Sequence, residues 1–385
     1  MDASVAPSSR PEPSLRSRLL ALVLGTLVGL ALAEGIVRLV SPPQSVVFSD
    51  PEQKSFHDLG VPTSLDVRTL NGLRFRPNSS VEIRNHALNG RTISIRTNEF
   101  GFRGRAVGPK PPGEFRILVL GDSITFGDYL QEDETLPAVL ERQLRASHPG
   151  LRVINAGKPG ADLLTESYIF LESGLAVEPD LVLVASYLND ATTIEYLRPR
   201  TGVLSRSAFA VKLYETFNRV RILKAIEKNQ ESNLKAYRRL LASRKVSWSS
   251  EREAWEAEKV SRSYDWGSAW LDTSWKSLEK IYRDLSVVAG KRGIPVAVAL
   301  LPHRRQVELD WVDDVPQRSF EDVMRRLSLP HVDLLPPLRQ AYRSESAPLY
   351  YDHCHNTPEG TRLVGHLIAT FLLERKLVPA SRGVR

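Results

Sequence analysis

From residue 114 onward the chain alternates two patterns. Short runs that are apolar at nearly every position recur at Phe115–Leu120, Leu151–Ile154, Asp180–Ala185, Ile294–Leu301 and Val332–Leu335. Runs of that length, bounded by polar or glycine-containing turns, read as strands. Leu136–Leu144, Leu163–Leu175 and Gly360–Leu373 carry apolar residues at helical spacing instead. A strand apolar on both faces needs cover on both faces, and alternation with helices supplies it. The pattern predicts a five-stranded parallel sheet inside an α/β domain spanning 114–375.

The first 113 residues follow other rules. Residues 1–18 are rich in Ser, Pro and Arg and read as a cytoplasmic stub. Arg10, Arg16 and Arg18 precede Leu19–Ala33, which carries no charge, and Ile36-Val37 and Leu39-Val40 extend the apolar pattern. Residues 19–40 therefore reach the ~20 residues that a membrane span needs. A basic flank before an apolar run predicts a cytoplasmic amino end and an exported remainder. Ala31-Leu32-Ala33 also fits a signal-cleavage site. Two outcomes follow: a single-pass anchor with a periplasmic catalytic domain, or a secreted protein cleaved after Ala33. Pro42 and Pro43 end the segment.

Residues 44–113 read as an extension, irregular at first and then β-like. Alternation between Val81 and Phe102 predicts short strands, with a turn at Asn89-Gly90. Gly108–Gly113 has the composition of a linker. Inside the α/β domain, residues 203–290 break the rhythm. They are charged, helical in pattern, and hold Trp248, Trp255, Trp266, Trp270 and Trp275. This predicts a helical insert, whose tryptophans either pack its helices or offer flat faces to sugars or acyl chains.

The net charge of +7 over 385 residues is modest, and the arginines are scattered. No nucleic-acid motif is present, and a solvated basic surface accounts for the charge. The single cysteine, Cys354, rules out an intrachain disulfide and a Cys-based metal site. It reads as a small buried filler.

The chemistry begins at Gly121-Asp122-Ser123, where the first apolar strand gives way to a turn closed by Gly127. A hydroxyl there projects beyond the carboxyl edge of the sheet, where open α/β folds bind ligands. Ser123 also suits a helix N-cap. As a nucleophile it needs a base, an orienting acid and an oxyanion site. Asp352-His353-Cys354-His355 offers the first two. One turn brings Asp352 and His355 to the same side, and His353 is the alternative base. The segments after the second and third strands offer the oxyanion site. Asn155-Ala-Gly-Lys-Pro-Gly160 supplies a backbone N–H from Gly160, with Gly157 as the alternative, and Asn189 supplies a side-chain amide. The N–H of Ser123 makes a third donor. His303, just beyond the fourth strand, reads as a surface histidine, with a place at the substrate site as the other possibility.

These four blocks, in this order, resemble the SGNH hydrolases, or GDSL esterases and lipases, in their membrane-anchored bacterial form. The resemblance implies a flavodoxin-like α/β/α fold with Ser123 as nucleophile, His355 as base and Asp352 as its acid. Ser123, Gly160 and Asn189 become the oxyanion donors, and no metal or organic cofactor is called for. Asn98–Gly104 looks like the Gly-Phe-Arg segment of anchored members and is expected to pack against the sheet. Tyr187 departs from the family, which usually has glycine there, and that bears on substrate range. The implied activity is removal of O-acetyl groups from envelope or exopolysaccharide glycans. Transfer of the same acyl group to a sugar, lipid-ester hydrolysis, and a non-catalytic carbohydrate-binding scaffold are the alternatives.

Overall fold

The computed structural model describes residues 14–40, 45–48, 75, 77–86, 88–191, 209, 250–263, 265–344 and 348–379. Residues 1–13, and the insert from 203 to 249 apart from Phe209, lie outside the described residues. Trp248 is among them. Two compact units emerge: residues 1–43 with 198–221, and residues 44–197 with 222–385.

In the first unit a helix spans Leu15–Val40. Its segment Leu15–Ile36 has a mean hydropathy of 2.2 and none of its hydrophobic window is buried. At 1.5 Å per residue, 22 residues reach about 33 Å, enough to cross a bilayer core. A signal sequence has the same length and composition.

The second unit is built on a sheet of β4 (Phe115–Gly121), β5 (Leu151–Asn155), β6 (Leu181–Tyr187), β7 (Val296–Leu301) and β8 (His331–Asp333). All neighbours are parallel, in the order β5-β4-β6-β7-β8. Counted from the first of them this is 2-1-3-4-5, the flavodoxin-like order. The connection reverses direction after β5. With right-handed crossovers, the helices that leave β4 and β5 then cover opposite faces. Leu136–Arg145 packs with the closing helix Pro358–Glu374. Leu163–Ile169 packs with Asp272–Gly290, which packs in turn with Val315–Leu327. Ile117–Leu120 and Leu181–Val184 expose no area. Each such side chain contributes about 1.5–3 kcal/mol of burial. Arg116 is tolerated inside this run because its guanidinium meets Glu114 at 2.5 Å and the carbonyl of Val177 at 2.9 Å.

Within the expected insert 203–290, the helix Asp272–Gly290 leads into β7. The described part ahead of it is the helix Ser250–Ser261 and a short turn of helix, Trp266–Trp270. Trp255, Trp266 and Trp270 are each 1% exposed. Trp255 and Trp266 stack at 5.2 Å, and Trp270 meets each of them edge-on. These three rings pack the insert and present no open face to a sugar.

The extension forms an antiparallel sheet of β1 (Ser45–Phe48), β2 (Ser80–Arg84) and β3 (Ile93–Arg96). Val81, Ile83, Ile93 and Ile95 alternate inward and form a small core with Phe75 and Phe126. Phe126 comes from the turn after β4, so this core is completed by the segment that carries Ser123.

Candidate active site

β4 and β6 flank the point where the strand order reverses, and Gly121 pairs with Ala185 across it. Ligand sites of open α/β sheets form at the carboxyl ends of such strands. Ser123 follows β4 and Asn189 follows β6. A side chain at Gly121 would meet Thr125 Oγ1 at 2.1 Å and the Ala185 carbonyl at 3.1 Å, so the turn closes only over glycine.

The cap of the one-turn helix Ser123–Phe126 is Asp122, whose carboxylate accepts from the Ile124 N–H at 2.8 Å. Ser123 is thereby free of the capping role. Its Oγ lies 2.9 Å from His355 Nε2, and His355 Nδ1 lies 2.7 Å from Asp352 Oδ2. An ionised carboxylate only accepts, so Nδ1 carries the proton and Nε2 faces the serine as acceptor. Of the two candidate bases, His355 makes the contact. His353 Nδ1 sits 3.9 Å from the same carboxylate oxygen.

Asp352 also accepts from the backbone N–H groups of Cys354 and His355, at 2.9 and 2.8 Å. Burial pushes its pKa up, but the hydrogen bond and charge of His355 and these N–H groups outweigh it and hold the carboxyl below its usual range. Burial pushes His355 down, yet the hydrogen bond and charge of Asp352 prevail and raise it above the ordinary histidine value. The dyad is therefore poised to accept a proton.

Three segments carry the candidate oxyanion donors. The Ser123 N–H opens a helix and has no partner within it. Asn189 donates from Nδ2 to Asp122 Oδ2 at 2.8 Å, and its second amide hydrogen is left to donate elsewhere. Gly157 is committed to structure. Its N–H goes to Asn155 Oδ1 at 3.1 Å, and a Cβ there would strike Phe126 N at 2.4 Å. Gly160 lies exposed in the following turn at a φ of +71°. Of the two glycines it is the one with an accessible backbone.

Several contributors escape a motif reading. Arg103 is 3% exposed and donates to the carbonyls of Phe126 (2.8 Å), Leu130 (2.6 Å) and Gly127. Burial lowers its pKa to about 10, so it stays charged at neutral pH. Asn155 Nδ2 holds the Thr125 carbonyl at 3.0 Å. Tyr129 is fully buried and meets His355 edge-on at 4.8 Å. The Gly-Phe-Arg segment was the signal for Arg103, an arginine between apolar neighbours, but its carbonyl partners lie more than twenty residues away.

One expectation changes. His303 is not a surface residue: it is 1% exposed, accepts from the Arg305 N–H at 3.0 Å as a helix cap, and packs at 4.4 Å on Trp266. Tyr187 is 2% exposed. Cys354 is buried as expected. Among the described residues, Asp352, Cys354 and His355 form a group whose metal-capable atoms lie within 4.8 Å of one another. The Nδ1–Oδ2 hydrogen bond already occupies that set.

No protein-family model matches this chain, and no curated protein matches it. Similar solved structures include a lipase/acylhydrolase from Enterococcus faecalis, 15% identical, covering 68% of this chain and 96% of that one, with a TM-score of 0.38. A catalytic mutant of an acetylxylan esterase from Geobacillus stearothermophilus is 14% identical over 69% and 96%, also at 0.38. A two-domain esterase active on acetylated mannans is 17% identical over 70% and 51%, at 0.39. In this chain a serine follows the first sheet strand, a glycine turn the second and an asparagine the third, and Asp-x-x-His precedes the closing helix.

Proposed function

We propose that this chain is a serine ester hydrolase that works through an acyl-enzyme. The observation that carries the reading is the continuous relay from Ser123 Oγ to His355 Nε2 at 2.9 Å and from His355 Nδ1 to Asp352 Oδ2 at 2.7 Å. Ser123 Oγ attacks the ester carbonyl and its proton passes to Nε2. The developing oxyanion is met by the N–H groups of Ser123, Gly160 and Asn189, each worth on the order of 3 kcal/mol in such sites. Collapse breaks the C–O bond, and the alcohol leaves with the proton from Nε2. Water then attacks the acyl-serine, gives a proton to the same nitrogen, and the acid departs as Ser123 is restored.

The apolar helix Leu15–Val40 behind a basic flank supports an exported, membrane-tethered enzyme. Export puts envelope and exopolysaccharide glycans within reach, and their O-acetyl groups are the substrate class we infer. Nitrophenyl acetate hydrolysis by the full chain in detergent tests the activity, with Ser123→Ala and His355→Ala beside it. Both substitutions are expected to abolish turnover; equal rates in all three would sink the mechanism. Recovery of the intact chain in the soluble cytoplasmic fraction would contradict the tether.

A further inference from the structure

The relay uses Asp352 and His355 and leaves His353 between them unemployed, yet His353 is the more exposed of the two imidazoles. Its side chain is 38% exposed against 17% for His355, and the two rings are 6.3 Å apart. A group bound to His353 is therefore beside the ester that Ser123 attacks, not on it.

His353 is also held. Its carbonyl accepts from the Arg304 N–H at 2.9 Å, which ties it to the start of the helix Arg304–Glu308. Behind its ring, at 5.7 Å, stands His303. His303 is fixed as the cap of that helix and lies against Trp266 and Trp255 at 4.4 and 5.1 Å. The residue before Trp266 is Asp265, half-buried, whose carboxylate interacts with both His353 and His355. The buried tryptophans thus form a rigid backing for one exposed imidazole.

We propose that His353, backed by His303, is a specificity residue that binds a hydroxyl next to the scissile ester, so that the site selects acetylated polyols. The proposal rests on the serine esterase reading above. Three features select the ligand class. Burial, the first cause, lowers the pKa of His353 in spite of Asp352 and Asp265, so the ring is neutral at pH 7. A neutral imidazole offers one donor and one acceptor, which a hydroxyl matches with its own acceptor and donor. Asp352 and Asp265 disfavour an anionic ligand. An apolar acyl chain laid across His353 would desolvate the ring without replacing its hydrogen bonds. The insert then acts on substrate choice at second hand, by fixing the imidazole, rather than by stacking on sugars.

The test uses the full chain in detergent with His353→Ala, His353→Gln and Asp265→Asn. Rates are measured on acetylated xylo-oligosaccharides, glycerol triacetate, nitrophenyl acetate and nitrophenyl octanoate. His353→Ala is expected to lower kcat/KM on the polyol acetates about three- to tenfold more than on the nitrophenyl esters, the range of one hydrogen bond. The extra loss should fall in KM. Glutamine should restore part of it, and Asp265→Asn should follow in the same direction. Proportional loss on all four esters, or no extra loss on the polyols, overturns the proposal. So does a wild type that prefers the octanoate to every polyol acetate. Retention of full nitrophenyl acetate activity by Ser123→Ala defeats the esterase reading itself, a separate outcome.

Discussion

The turn Gly121–Leu130 and the loop Leu349–Thr357 meet at the 2.9 Å contact between Ser123 and His355, yet they are held by different parts of the chain. The loop is largely self-tied. Tyr351 N–H donates to the His355 carbonyl at 2.8 Å, Thr357 N–H to the Leu349 carbonyl at 3.0 Å, and Asp352 gathers three donors from Cys354 and His355. The turn is held from a distance. Arg103 takes three of its carbonyls, Asn155 takes another, Gly157 lies under Phe126, and the Phe126 ring is buried in the core of the extension. The base is a local structure that would survive moderate change around it. The nucleophile depends on the extension.

The comparison breaks most severely if the acid is altered within the self-tied loop. Asp352→Asn keeps the shape but inverts the donor requirement at Nδ1. We expect kcat to fall about 10³- to 10⁴-fold, as in the serine protease template, with little change in melting temperature. A fall of less than tenfold would mean that Asp352 is not the orienting acid.

Arg103→Ala probes the other side, from within the extension and 20 residues before Ser123. It leaves three carbonyls and a cavity behind. The expected cost is on the order of 3 kcal/mol in denaturant unfolding, with a drop in kcat of roughly ten- to a hundredfold, the size of effect that misplacing a reacting group produces. Arg103→Lys keeps the charge but not the fork that spans three acceptors, so it should recover only part of the rate. Wild-type kcat in both variants would show that the turn stands without the extension. Gly157→Ala should be milder, about 1–3 kcal/mol of stability from the forced shift of Phe126 N.

The smallest effect is in the pH profile. His355 must be neutral to act, and Asp352 raises its pKa against the opposing effect of burial. The acidic limb of kcat/KM should therefore lie above the ordinary histidine value of about 6.5, and Asp352→Asn should move it down. For stability the sign is fixed by the same shift. The folded state holds the proton more tightly, so the contribution is full below pH about 6.5 and is lost as pH rises through the folded pKa.

The same contrast explains what the sequence disclosed. Asp352 and His355 are legible because the interaction that joins them spans three residues. The strands are legible because burial on both faces leaves continuous apolar runs, and β4 to β8 appear within two residues of their expected starts. Ser123, Gly160 and Asn189 are nominated because each follows such a strand. Arg103 was visible only as part of a segment, since nothing local says that its guanidinium reaches Phe126, Gly127 and Leu130. His303 was misjudged because a polar residue after a strand ordinarily faces water. Its burial comes from Trp255 and Trp266, which arrive from an insert with no periodic relation to β7. Asp272–Gly290 continues the helical pattern of the residues before it, and its packing with Leu163–Ile169 and Val315–Leu327 is not written in that pattern.

The central claim is that Ser123 is a nucleophile made reactive by His355. Fluorophosphonate labelling of the full chain, followed by peptide mass mapping, tests it directly. The account predicts one adduct per chain, on Ser123, and its loss in His355→Ala. An adduct on another residue, or equal labelling without His355, would contradict it.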